Sequence, residues 1–236
     1  MTEKPAQDAP RETMHERVYR ELRSRLIGGR VVPGRPVTLR GLASELGVSP
    51  MPVREAVNRL VAERALTMTP NRRISVPEMT HARFEELVTA RERLEPAAAR
   101  RALPYLRRSD VNRLRKIDDD LEEQLKTGNV EGYVAANHAF HFGIYGAAPS
   151  DVLVPVIESL WMQSGPFMRL VYGRVGTSWL VDYHEQAMDA VLARDPEALA
   201  EAIRSDILDG MRHIGNSVFE EGELPPSRAA AGSPTD

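Results

Sequence analysis

The sequence predicts a mainly α chain in two parts: three short helices closed by a β-hairpin, then a longer all-helical bundle. Two observations carry this. Apolar residues recur at helical spacing along almost the whole chain. Short extended pieces separated by turn residues occur only before Pro77, and no strand-like alternation follows it. Charge divides the chain at the same place. Residues 11–76 hold 13 Arg and six Glu with no Lys or Asp, a net of +7, which leaves −10 for the rest of a chain whose total is −3. A basic module joined to an acidic remainder suggests that the first part meets a polyanion and the second does not.

The elements follow in order. Residues 1–12 are polar and proline-bearing and read as a disordered arm. Val18, Leu22, Arg25 and Leu26 mark one face of a first helix that Gly28-Gly29 ends. VVPGRPV is an extended turn. A second helix covers Leu39 to Leu46 and stops at Gly47, and a third runs from about Met51 to Arg64. ALTMTP and ISVP are two extended pieces around Asn71-Arg72-Arg73, where Asn can adopt the left-handed backbone of a tight hairpin. Helices are then expected at 80–103, 109–126, 130–146, 151–173, 177–194 and 196–217, punctuated by Gly128, Pro149, Gly176 and Asp195-Pro196. Residues 220–236 read as a disordered tail.

Composition narrows the class. The 236 residues, 42% hydrophobic and 28% charged, suit a globular protein of one or two domains. Cysteine is absent, which excludes disulfides and thiolate metal sites and suits a reducing cytoplasm. The N-terminus has no apolar core of a secretory signal. Val152 to Met168 is apolar but carries Glu158 and two prolines, so it reads as a buried helix and no membrane partner is expected. Cytoplasmic location follows as the expectation.

Residues 42–49 have the logic of a helix-turn-helix. Leu42, Ala43 and Leu46 face inward, Gly47 allows the turn, Val48 plugs the corner and Ser49 caps the next helix. That helix buries Val53, Ala56, Val57, Leu60 and Val61 and carries Arg54 near its N-terminal end. An Arg there can contact guanine O6 and N7 in the major groove; read on position alone, it is equally a solvated surface Arg.

The stretch TLRGLASELGVSPMPVREAVNRLVAERAL resembles the signature LA-x-x-LGVS-x-x-PVREAL-x-RL of the GntR family of bacterial transcription regulators. The resemblance covers about residues 14–77. It implies a winged helix-turn-helix over 13–77 that binds double-stranded DNA. Arg40, Ser49, Met51 and Arg54 then stand at DNA-contacting positions, with Asn71 and Arg72 at the wing tip. Pro50, Met51 and Asn71 depart from the residues usual there, which affects base preference rather than DNA binding itself.

Residues 80–217 resemble the FadR-type subfamily, whose effector domain is an all-helical bundle (the FCD domain). Its motifs here are Arg91 to Ala99, Asn137 to His141, and His184 followed by the Asp195-Pro196 turn. The resemblance implies a ligand-sensing and dimerisation domain over 78–219. It also implies a divalent metal held by Asn137, His141, His184 and Asp206, with Arg91 facing an effector. Part of this can be read directly. Asn137 and His141 are four apart on one helix face. His184 and Asp206 are each 11 residues from Asp195, on consecutive antiparallel helices, and so lie at similar height. Asp206 stands where the family has its last His, and Asn137 where it has Asp. Nitrogen and oxygen donors suit zinc, nickel or manganese. The competing reading of Arg91 is an ordinary i,i+4 pair with Glu95 on a solvated face. His138 and His213 fit no such register and read as structural, and Trp161, Phe167, Tyr172 and Trp179 read as core.

Taken together, the expectation is a homodimer on an inverted-repeat operator, controlled by a small organic acid. Paired reading heads are needed because one small head makes too few contacts for strong selectivity. Two alternatives stay open: a metal-free sensor of a larger acyl ligand, and a helical metalloenzyme with an accessory DNA-binding domain. No general base beyond the ligands themselves favours the last.

Overall fold

In the computed structural model, which describes residues 12–69, 71, 73–172 and 183–220, the first helix begins where Thr13 and Glu16 cap each other. This helix, α1 (Met14–Ile27), buries Val18, Leu22, Leu26 and Ile27. Val37–Thr38 forms β1, and Thr38 then caps α2 (Leu39–Leu46) by accepting from the Gly41 N–H at 3.0 Å. Gly47 ends α2 with φ 63°, a left-handed conformation that favours glycine. α3 (Pro50–Ala62) buries Val53, Ala56, Val57 and Leu60 against α1.

One local expectation is corrected. Ser49 occupies the cap position of α3 but makes no capping hydrogen bond. The donor such a hydroxyl prefers is the N–H three residues on, and residue 52 is proline, which has none. The hairpin expected around Asn71 is present: β2 (Thr67–Met68) and β3 (Arg73–Ser75) flank it, and the Asn71 side chain accepts from the Thr69 hydroxyl. The wing is a three-stranded antiparallel sheet in the order β1-β3-β2, with Val37 opposite Ile74 and Met68 opposite Ile74 on the other side. The third strand comes from the end of VVPGRPV; two residues are too few to show an alternation.

Beyond Pro77 come α4 (His81–Ala102), α5 (Arg108–Lys126), α6 (Val130–Tyr145), α7 (Leu153–Tyr172), α8 (Tyr183–Ala193) and α9 (Pro196–Gly215). Each begins or ends within a few residues of the position read from the sequence, apart from the start of the fifth, at 177–182, which lies outside the described residues. So do the arm before Glu12, the tail after Glu220 and Trp179; the side chain of Tyr172 is not described either. α4 packs on α9, α8 on α9, and α5 on α6, around a core that includes Phe140, Tyr145, Trp161 and Phe167. Among the described residues, no helix is long and apolar enough to cross a membrane.

The N-terminal part is docked on the bundle through α1 and α7. Arg23 pairs with Glu158, Arg30 with Glu131 at 2.7 Å, and the Ser159 hydroxyl donates to the Glu63 carbonyl at 2.9 Å. At the centre sits Gly165, where an added Cβ would lie 2.5 Å from the Leu26 carbonyl oxygen and 2.6 Å from that of Ile27. Backbone cannot yield as a flexible side chain does, so Gly165→Ala is expected to lever α1 off α7 at a cost of roughly 1–3 kcal/mol. Limited proteolysis within 76–80 and small-angle scattering check it; a variant as compact and as resistant as the wild type would contradict a close α1–α7 contact in solution.

Candidate functional site

α2 and α3 form the expected helix-turn-helix pair, and the structure exposes one edge of it. Arg40 lies in the first turn of α2, and Met51 and Arg54 lie in the first two turns of α3; all three are exposed, as are Ser49 and Asn71. Arg72 lies outside the described residues. The arginines of this module divide into two groups. Arg25 is held by Glu21 and Glu45, and Arg59 by Glu63 while its guanidinium sits 3.7 Å over the Tyr19 ring. Neither Arg40 nor Arg54 is taken up by an acidic side chain among the described residues. They are thus available to an external anion or base edge. Met51, 59% exposed at the start of α3, is the kind of apolar group that can meet a thymine methyl.

The second cluster is inside the bundle. His141 on α6, His184 in the first turn of α8 and Asp206 in the middle of α9 each offer one ligand atom, all within 4.8 Å of one another. The i,i+4 spacing puts Asn137 one turn before His141 on the same buried stretch of α6, and the turn at Asp195 returns α9 alongside α8. Asn137, Arg91 and Asp206 line one cleft together with Met168 and Met211. The space it encloses is about 30 Å³, room for one water-sized group.

Hydrogen bonding to the Nδ1 atoms decides which nitrogen each imidazole has left for the cluster. Glu95, fully buried on α4, accepts from Arg91 Nε at 2.6 Å, from the Tyr145 hydroxyl at 2.9 Å and from Trp161 Nε1 at 3.1 Å. Burial, reinforced by the neighbouring Glu95 charge, pushes the Tyr145 phenol well above its ordinary pKa, so it keeps its proton and donates it to Glu95. Its oxygen is therefore the acceptor for His141 Nδ1–H at 2.9 Å. His184 Nδ1 lies 2.6 Å from Asp118 Oδ1 on α5. With both Nδ1 atoms engaged, the Nε2 atoms are the ones that could bind an ion. His141 Nε2 is 3.0 Å from Asp206 Oδ2, yet the alignment is too poor for a hydrogen bond. A lone pair facing a carboxylate oxygen at that distance calls for a positive charge between or beside them. Burial raises the Asp206 carboxyl, but contact with His141 and the charge of Arg91 lower it, and its pKa lies below the usual value. The donor set thus fits a divalent cation.

Arg91 keeps the i,i+4 partner read for it, though not on the solvated face expected. It pairs with Glu95, but on a buried face, 4% and 0% exposed, and its guanidinium lies 4.4 Å from the Trp161 ring centroid while lining the cleft. Glu95, Tyr145, Trp161 and Asp118 were not recognised as site residues from the sequence; only the Arg91–Glu95 spacing hinted at one of them. His138 and His213 are outside the cluster. His138 stacks on Phe142 at 4.1 Å, and burial, with the Arg23 charge nearby, pushes its pKa down to about 3. His213 Nδ1 lies 2.9 Å from the Asp209 carbonyl of its own helix.

Comparison with known proteins comes to the same two parts. A family model described as bacterial regulatory proteins, gntR family, matches residues 14–76, and a model of the FCD domain matches residues 86–209. The HTH-type transcriptional regulator McbR of Escherichia coli (strain K12) is 30% identical over 197 residues, which are 80% of this chain and 89% of that one. The probable D-xylose utilization operon transcriptional repressor of Paenarthrobacter nicotinovorans is 26% identical over 175 residues, 74% and 77% of the two chains. The solved structure of E. coli McbR/YncC superposes with a TM-score of 0.82 at 26% identity, covering 88% of this chain and 99% of that one.

Proposed function

Because the chain belongs to the GntR family of bacterial regulatory proteins and carries an FCD domain, we propose that it is a transcription regulator whose FCD domain senses a small organic carboxylate at a divalent cation. That it is a DNA-binding regulator and not an enzyme follows from the family. The sensing reading rests on one observation: two imidazoles and a carboxylate converge within 4.8 Å, with both Nδ1 atoms already bonded elsewhere. Asn137, His141, His184 and Asp206 would hold the ion, and zinc, nickel and manganese are the candidates. Asp206 in place of an imidazole makes the set harder and a manganese-like ion more competitive. The cation would offer open positions to a carboxylate or hydroxy-carboxylate, and Arg91 would neutralise its remaining charge. A relative named for a D-xylose utilization operon is in keeping with a small-metabolite signal.

Control of DNA requires the effector to bind two arrangements of the reading heads with different affinity. α7 supports this coupling: Trp161 bonds Glu95 beside the cleft, while Glu158 and Gly165 of the same helix meet α1. The test is metal content and ligand-induced thermal shift in the full-length protein. The wild type should retain a stoichiometric ion, and a matching carboxylate at 100 Kd should stabilise it by about 2.7 kcal/mol. His184→Ala should lose both responses, and Asp206→His should shift preference toward zinc. A wild type without metal, with ligand responses that survive in His184→Ala, would sink the metal-sensor mechanism and leave the DNA-binding half intact.

A further inference from the structure

Resting on the metal-centre reading, we propose that Asp118 is a positioning residue for it: Asp118 holds His184 in the tautomer and orientation that turn Nε2 toward His141 and Asp206. Asp118 lies on α5, 66 residues before His184, and neither side chain is more than 15% exposed. Its Oδ1 accepts from Nδ1 at 2.6 Å, so the proton stays on Nδ1 and the lone pair on Nε2. The Phe140 ring stacks on the same imidazole at 3.8 Å and 13°, which fixes the ring plane. Within that plane only the acceptor decides which nitrogen faces the cluster. Such outer carboxylates also raise the basicity of the imidazole they hold. A separate contact keeps the helix itself in place. Arg115, one turn before Asp118 on α5, grips Glu185 through two bonds of 3.0 and 3.1 Å. Removing the Asp118 carboxylate therefore leaves α8 anchored to α5.

The experiment uses the full-length protein stripped of metal, with zinc and manganese ions alone as probes. Affinity is read by competition with a chromophoric chelator, and the His184 tautomer by 15N–1H long-range correlation. The wild type should show protonated Nδ1 before any metal is added. Asp118→Ala should lose roughly 10- to 100-fold in metal affinity and show mixed tautomers. Asp118→Asn, whose amide oxygen can still accept, should recover most of both. Arg115→Ala should loosen α8 without moving the tautomer. Wild-type affinity in Asp118→Ala alongside loss of binding in His184→Ala overturns the role of Asp118 and leaves the metal centre standing. A wild type that takes up neither ion overturns both. If Asp118→Ala does not fold, the unmodified protein still decides: a proton on His184 Nε2 overturns the proposal.

Discussion

Arg54→Ala is expected to abolish operator selection while leaving the protein as stable as the wild type. Arg54 is exposed in the second turn of α3 and unpaired by any acid among the described residues, so its removal breaks no internal contact. Surface changes of that kind stay within about 0.5 kcal/mol of stability. An Arg bidentate to guanine contributes about 1–3 kcal/mol of discrimination. In a homodimer on an inverted repeat the loss counts twice, about 2–6 kcal/mol, or roughly 30-fold to more than 10⁴-fold in specific affinity. Arg40→Ala should cost less. The measurement is selection from a random DNA pool, followed by anisotropy titration at one fixed salt concentration, since phosphate contacts make affinity salt-dependent. Light scattering at micromolar concentration checks the dimer. If Arg54→Ala still enriches the wild-type sequence, α3 is not the reading element; if the wild type is monomeric, the doubling fails.

The other large effect is expected on stability, at Glu95. Its carboxylate is fully buried and bonded to Arg91, Tyr145 and Trp161. Glu95→Ala leaves the Arg91 guanidinium buried without its bonded anion, against the Met211 sulfur and the Trp161 face, with Asp206 elsewhere in the same cleft. Two further donors, the phenol and the indole N–H, lose their acceptor. Breaking one partner of a buried pair costs about 3–5 kcal/mol. In a chain of this size that corresponds to a fall in Tm on the order of 10 °C. Glu95→Gln keeps an acceptor oxygen but not the charge, and should fall between. Freed of Glu95, the Tyr145 hydroxyl can turn its proton toward His141, so metal affinity should drop with stability. Calorimetry of the metal-free protein separates the two effects. A metal-free Glu95→Ala that melts within about 1 °C of the wild type would mean the network contributes little.

The sequence was sufficient wherever the governing interaction is local. Helical periodicity, Gly47 and the Asp195-Pro196 turn gave element positions that the structure matches closely, because each depends on neighbours within about one turn. Local chemistry also misled at one place. Ser49 looks like a cap until one sees that residue 52, three positions on, is a proline with no N–H to donate. The convergence of His141, His184 and Asp206 was legible because an i,i+4 spacing and equal distances from one turn determine height along the bundle. Rotation about each helix axis was not legible, since it follows from how all the helices pack together. That rotation brings Asp118 to His184 across 66 residues and Tyr145 to Glu95 across 50, and it buries the Arg91–Glu95 pair that spacing alone left on either face. The sequence by itself thus determined the helices, the helix-turn-helix and the three side chains that converge in the bundle. Only the tertiary structure decided which nitrogen each imidazole presents, because that choice belongs to whatever acceptor or donor lies behind the ring.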